Sequence, residues 1–367
     1  MPEKTLYRAA TLMSILVVIA ISSWEGYLRH TGARLGYDDD KELWANKRAR
    51  IYDAPEKTTV FIGSSRIKFD LDIPTWEKIT GREAVQLSVQ GASPMPILRD
   101  LGNDSNFRGK LVIDVTEPLF FNNDSAEVQR PDRYIAFYKR RTPAQRTGFV
   151  LNHLLESQFL FLDQDRYSLN AEINKWKLPN RPGTYVFPDF PDDFGVTTFD
   201  RQSTMTPRFM ADTSLQHQVQ QIWVFLMNVG RGAPPPKEDP VPIVLASVQN
   251  AVNKIRARGG EVFFIRTPSS GPFLMGERHA FPKVKMWDPL LATTHSNGFY
   301  YADDSATAHF TCPEWSHLSP SDAILYTKAL INRLPSSFVK PPPSFVQAPS
   351  ATQTSGPATP RDCLTKN

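Results

Sequence analysis

The chain has 367 residues, of which 41% are hydrophobic and 22% charged, an ordinary globular balance that excludes wholesale disorder. The net charge of +4, from 42 basic against 38 acidic residues, singles out neither a nucleic-acid binder nor a receptor for acidic polymers. Two cysteines, Cys312 and Cys363, are too few for a disulfide scaffold and have no CxxC spacing.

The first element is an apolar run over residues 9–24, AATLMSILVVIAISSW, without a charge and preceded by Lys4 and Arg8. Extended through Leu28 it has about 20 residues, the length that spans ~30 Å of hydrocarbon. Basic residues before the run favour an inward N-terminus (residues 1–8) and a translocated remainder, with Trp24 and Tyr27 as interfacial anchors. A cleaved signal peptide, with Ala20-Ile21-Ser22 as a weak cleavage site, and a buried core helix are the rival readings. No second run approaches spanning length. In a bacterium, a single-pass anchor over 9–28 puts the domain in the periplasm or outside the cell, a compartment that permits a Cys312–Cys363 disulfide.

Residues 29–57 read as a charged, partly helical stem. A β-branched strand is expected at Thr58–Ile62, stopping at Gly63. A short helix follows over 73–80, with Pro74 near its start and Gly81 past its end. Strands are expected at 84–88 and 110–115, the latter nearly continuous in apolar residues, as in a parallel sheet buried on both faces. Residues 94–102 suit a helix. From 120 to 239 the pattern changes to helical stretches near 130–175 and 213–229, interrupted by Pro-rich loops. The βα rhythm returns with a helix over 241–258, strands at 261–265 and 298–301, and a closing helix over 319–333. The tail from 335 is Pro-rich and expected to be disordered. The fold class is therefore α/β, a doubly wound, mostly parallel sheet in two parts, 58–119 and 240–334, around a helical insertion at 120–239.

In open α/β sheets, functional residues sit past the C-terminal ends of strands. Those positions hold Gly63-Ser64-Ser65-Arg66, Ser88-Val89-Gln90-Gly91, Thr116-Glu117-Pro118, and Arg266 onward; Cys312-Pro-Glu314-Trp-Ser-His317 precedes the last helix. A carboxylate three residues before a histidine can reach one ring nitrogen and leave the other to take a hydroxyl proton. A serine after the first strand and His317 before the last helix make a nucleophile and its base. The bland alternative is a surface histidine with a solvated Glu314. Arg66 either binds an anionic group or pairs with a carboxylate of the insertion. Asp303-Asp304 lacks the companions a metal needs, and no P-loop, GxGxxG or HExxH is present, so no metal or cofactor is expected.

The blocks VFIGSSRI, LSVQGAS and EWSHLS resemble those of the SGNH/GDSL hydrolase superfamily. The single anchor, the GSS variant and the large insertion look like its membrane-anchored extracytoplasmic branch, which includes the D-alanyl transfer protein of teichoic-acid modification and the alginate O-acetylation proteins. The resemblance implies Ser65 as nucleophile, His317 as base and Glu314 as its orienter. The Ser65 and Gly91 N–H groups are the implied oxyanion donors, with Ser64 and Arg66 beside the substrate. Glu stands where the family has Asp, and Val115-Thr116-Glu117-Pro118 replaces the third block, Gly-x-Asn-Asp, leaving oxyanion support incomplete. The expected activity is acyl transfer or ester hydrolysis on a cell-surface or secreted polysaccharide, with a membrane-bound O-acyltransferase as implied partner. The reading from another class is a non-catalytic scaffold or binding protein of a polysaccharide-modification complex.

Overall fold

A computed structural model describes residues 3–122, 125–176, 188–232 and 238–339. Strands β1 (Thr58–Ile62), β2 (Glu83–Gln86), β3 (Lys110–Asp114), β6 (Glu261–Arg266) and β7 (Asn297–Tyr300) form a five-stranded sheet in the order β2-β1-β3-β6-β7. A two-stranded antiparallel pair, β4 (Val196–Thr197) and β5 (Ser203–Thr204), lies apart from it. Every pairing in the large sheet is parallel, with Val60 opposite Val85 and Leu111, and Val112 opposite Phe263. The expected α/β architecture is therefore present.

Alternation along each strand sorts side chains onto two faces, and both are covered. Val60, Ile62, Leu111, Ile113, Val262 and Phe264 enter one core with the helices Met95–Asn103 and Pro240–Ala257. Phe61, Val112, Phe263 and Ile265 enter the other, with helix Ile73–Thr80 and the closing helix Pro320–Arg333. Local chemistry sets the ends. Asp72 caps Ile73–Thr80 through the Thr75 N–H, Gly81 ends it in a left-handed conformation, and Ser319 caps Pro320–Arg333 through the Asp322 N–H. Strand β2 closes at Gln86 and β3 at Asp114, one or two residues earlier than the apolar runs suggest.

The N-terminal helix, Glu3–His30, is long and apolar enough to cross a membrane, and the apolar window of that span is wholly unburied. A core helix would bury it, so that alternative is excluded. The segment 29–57 differs from a free stem. Its helix Lys41–Arg50 buries Trp44 and Ala45 in the first core, and Trp44 Nε1 donates to the Leu87 carbonyl at 2.8 Å. Aromatic burial outweighs the surrounding charges because Arg48 pairs with the buried Asp100 and Lys47 with Asp200 at the surface.

The first insertion helix, Ser125–Arg140, likewise places Ile135 in the main core. At the other end, Ser336–Val339 is helical and Phe338 is buried, so folded structure runs past the expected start of the tail. The rest of that tail, with Cys363, lies outside the described residues, as do 177–187 and 233–237 of the Pro-rich loops. Cys312 is buried and has no disulfide partner among the described residues.

Beneath the sheet's C-terminal edge lies a charged cluster. Glu277 bonds Arg66, Arg266 and Ser269, and Arg266 also meets Glu117 at 3.0 Å. Burial alone would raise the Glu277 carboxyl, but Arg66 and Arg266 outweigh it and hold the carboxyl well below the usual range. Removing one charge from such a cluster leaves the others buried and uncompensated. Glu277→Gln is expected to lower unfolding free energy by about 3–5 kcal/mol, read from urea denaturation midpoints. An unchanged midpoint would show that the two arginines do not need this carboxylate.

Candidate active site

The strand order reverses about β1: the chain runs from β1 outward to β2, then back across to β3. Such a switch point opens a crevice beyond the carboxyl ends of β1 and β3. Ser65 stands there, as the first residue of helix Ser65–Asp70, capped by the Ser64 side chain through the Arg66 N–H. Gly63 makes this turn feasible, because a Cβ there would come within 2.7 Å of the Asp114 Cβ. Among residues 58–71, Ser65 alone lies between buried and exposed while all others are buried, so only its hydroxyl is open to the crevice.

The final loop brings the other two residues. His317 Nε2 lies 2.9 Å from Ser65 Oγ, and His317 Nδ1 lies 2.9 Å from Glu314 Oε1. The structure thus brings together Ser65, His317 and Glu314 across 252 residues of sequence. The solvated-Glu314 alternative fails, since Glu314 is 0% and His317 1% exposed. Glu314 Oε1 also accepts the His317 N–H at 2.6 Å and the Ser316 N–H at 3.3 Å, while Oε2 accepts from Trp223 Nε1. With N–H donors at both oxygens, the carboxyl acts as acceptor. His317 Nδ1 then carries the ring proton and Nε2 is left to accept from Ser65.

Trp315 holds a left-handed backbone, φ 80°, between the two. For a bulky residue this is strained, and it is held by the Ser270 N–H donating to the Trp315 carbonyl at 2.8 Å. The bend turns the Ser316 and His317 N–H groups back onto Glu314.

The other expected site residues fall differently. Ser64 is buried, its hydroxyl 2.7 Å from that of Thr116, so it serves the turn rather than the crevice. Arg66 is buried against Glu277, which belongs to the second part of the sheet domain and not to the insertion. Gly91 lies in an exposed left-handed turn, φ 59°, after β2. The third-block position is occupied by structural bonds: Thr116 donates to Asp114 at 3.0 Å, and Glu117 pairs with Arg266.

The insertion supplies what sequence reasoning missed. Phe194 and Trp223, with Phe69 of the Ser65 helix, surround the His317 ring at centroid distances of 5.7, 6.1 and 4.5 Å. They belong to a small core with Met205, Phe209 and Val219. The only signal was a cluster of aromatic residues in polar surroundings near 190–194 and a tryptophan in a short apolar run.

No protein-family model matches the chain, and no curated protein is significantly similar to it.

Asp70 sits behind the final loop, accepting the Leu318 N–H at 2.8 Å, and its second oxygen is buried without a partner among the described residues. Burial pushes its carboxyl well above the usual range, and the neighbouring Asp114 and Glu314 carboxylates push the same way, against Arg66. Below an unfolded value of ~4 both states hold the proton. Above it only the unfolded chain releases it, so this residue lowers stability as pH rises towards its folded value. Asp70→Asn keeps the acceptor and removes the titration. Its melting temperature is expected to exceed wild type at pH 7 and to converge on it near pH 4. A difference independent of pH would show that Asp70 is charged in the folded state.

Proposed function

We propose that this is a membrane-anchored, SGNH-type serine acyltransferase or esterase acting on a cell-surface or secreted polysaccharide. The observation that carries the reading is the relay Ser65 Oγ–His317–Glu314, with 2.9 Å at each junction and only the serine accessible. In the proposed cycle Ser65 Oγ attacks an acyl carbonyl carbon while its proton passes to His317 Nε2. The donor alkoxide leaves, takes that proton, and an acyl-serine remains. A sugar hydroxyl, or water, then attacks the acyl carbon, gives its proton to Nε2, and the proton returns to Ser65. Glu314 fixes the ring and balances the transient imidazolium. The Ser65 N–H, in a first helical turn where backbone donors lack intrahelical acceptors, and the Gly91 N–H are the proposed oxyanion donors.

The glycan acceptor is supported by Phe194 and Trp223, half-buried aromatic rings packed around His317, the residue that reaches the serine. The N-terminal helix would hold the domain on the outer face of a bacterial inner membrane, where a membrane-bound O-acyltransferase is the proposed acyl donor. One observation favours a non-catalytic scaffold instead: the segment after β3 is committed to buried bonds through Thr116 and Glu117, leaving no third oxyanion donor from that block.

A fluorophosphonate probe separates the two. The intact protein is expected to be labelled at Ser65, and Ser65→Ala or His317→Ala to lose labelling and polymer acylation by about three orders of magnitude, each about as damaging as both together. Glu314→Gln and Trp223→Phe are expected to be intermediate, the latter because it removes one donor from the orienting carboxylate. Full acylation of the native polymer by Ser65→Ala would overturn the covalent mechanism and leave the scaffold.

A further inference from the structure

The N-terminal helix does not leave the domain freely. Its last turns are clamped to one segment of the insertion. The Glu25 carboxylate accepts the Leu160 and Phe161 N–H groups at 3.2 Å each. Trp24 Nε1 donates to the Tyr167 carbonyl at 3.1 Å, and Arg29 to the Gln158 carbonyl at 2.6 Å. These bonds fix where an apolar span would emerge from a bilayer relative to the domain.

On either side of the clamped segment is a helix whose apolar side chains face solvent. Helix Pro143–Glu156 exposes Leu151, Leu154 and Leu155 at 60, 58 and 51%. Helix Leu169–Asn174 exposes Leu169 and Ile173 at 77 and 54%, and Trp176 follows one turn on at 77%. The spacings i, i+3, i+4 of Leu151, Leu154 and Leu155 and i, i+4 of Leu169 and Ile173 gather each set on one side of its helix. Scattered exposed apolar residues are normal, but two apolar faces flanking the exit of an apolar helix mark an interaction surface.

We propose that these two helices lie in the lipid interface beside the emerging N-terminal helix, so that the domain rests on the membrane in one orientation. This rests on the reading of that helix as a membrane anchor. The lipid surface is the occupant because both helices adjoin, in sequence, the segment 158–167 that holds the last turns of Glu3–His30, whose own apolar window is wholly unburied. The rings suit that level as well: Trp24 and Tyr27 stack at 5.5 Å, and Trp176 is 77% exposed. Amphipathic indole and phenol rings concentrate at the headgroup boundary.

The test uses the full chain with Cys363→Ser, reconstituted into phosphatidylcholine–phosphatidylglycerol vesicles, Cys312 being buried. Leu151→Cys, Leu154→Cys and Ile173→Cys are each labelled with an environment-sensitive fluorophore and challenged with nitroxide lipids. Val17→Cys, inside the N-terminal helix, reports the anchor. Val284→Cys, exposed and beside Lys283, which stacks on Tyr300 of the far strand β7, reports the opposite edge. The three interfacial positions are expected to lose about half their emission to a nitroxide at the headgroup and less to one deep in the acyl chains. Val17 should be quenched by the deep probe, and Val284 by neither. Deep quenching at Val17 with none at the three positions would overturn the lipid assignment alone and give the face to a membrane-embedded protein partner. Absence of quenching at Val17 would sink the anchor reading and this proposal with it. Equal quenching at Val284 would mean adsorption without orientation, and would also overturn it.

Discussion

A carboxylate that is 0% exposed has to be surrounded by donors, and at Glu314 they come from two distant parts of the chain. The loop itself provides the Ser316 and His317 N–H groups and the imidazole. The insertion provides Trp223. The backbone donors are available only because Trp315 adopts its left-handed turn, and that turn is held by Ser270 at the end of β6. The orientation of His317, and so its reach to Ser65, is therefore a consequence of satisfying one buried group. An aspartate is one methylene shorter. With glutamate the carboxylate can curl back onto its own loop while still presenting Oε1 to the ring.

Serine and histidine meet because of topology. A parallel sheet delivers the exits of all its strands to one edge, and the reversal between β1 and its neighbours leaves a crevice there. The wall of this crevice is ionic. Arg66, directly after the serine, reaches down to Glu277, and Glu277 in turn holds Arg266 at the end of β6. Opposed charges with almost no solvent access lock β1's turn to β6's, which also carries the Ser270 contact with the final loop. Ser65 and the loop that carries His317 are thus positioned by the same pair of strand ends.

Much of this was legible in the sequence. Buried parallel strands are uniformly apolar, so β1, β3 and β6 stood out, and Pro74 and Gly81 marked the ends of one helix to within a residue. Glu314 and His317 were legible as a pair because their interaction is local, three residues apart. What escaped was the set of contacts with distant partners that no motif announces. Trp223 donates to a carboxylate 91 residues away, and no periodicity in its own helix announces that. Arg66 was read as meeting the insertion, yet its carboxylate lies 211 residues on, in the second half of the sheet domain. The segment before β1 was read as a stem because its charges suggested solvent. Its charges are instead paired inward: Asp39 meets both Lys68 and Arg201.

That last pairing links the segment after the N-terminal helix to the crevice. Burial, aided by the nearby Arg201 charge, outweighs the pull of Asp39 and lowers Lys68 to about 8. Lys68 sits on the same short helix as Ser65, so Asp39 grips the helix that carries the serine. Arg201, from the turn between β4 and β5, holds Asp39 at 2.6 Å and donates to the Gln86 and Ser88 carbonyls, where β2 ends. Tyr37, two residues earlier, donates its N–H to Thr197 of the same small hairpin. Glu25 is bonded to the insertion, Tyr37 to the small hairpin and Asp39 to the Ser65 helix, each through a hydrogen bond or ion pair. A flexible stem would let the crevice sample all orientations relative to the N-terminal helix. These contacts instead hold the two in one relation, so the direction in which Ser65 faces is fixed by the packing of the segment that precedes the sheet.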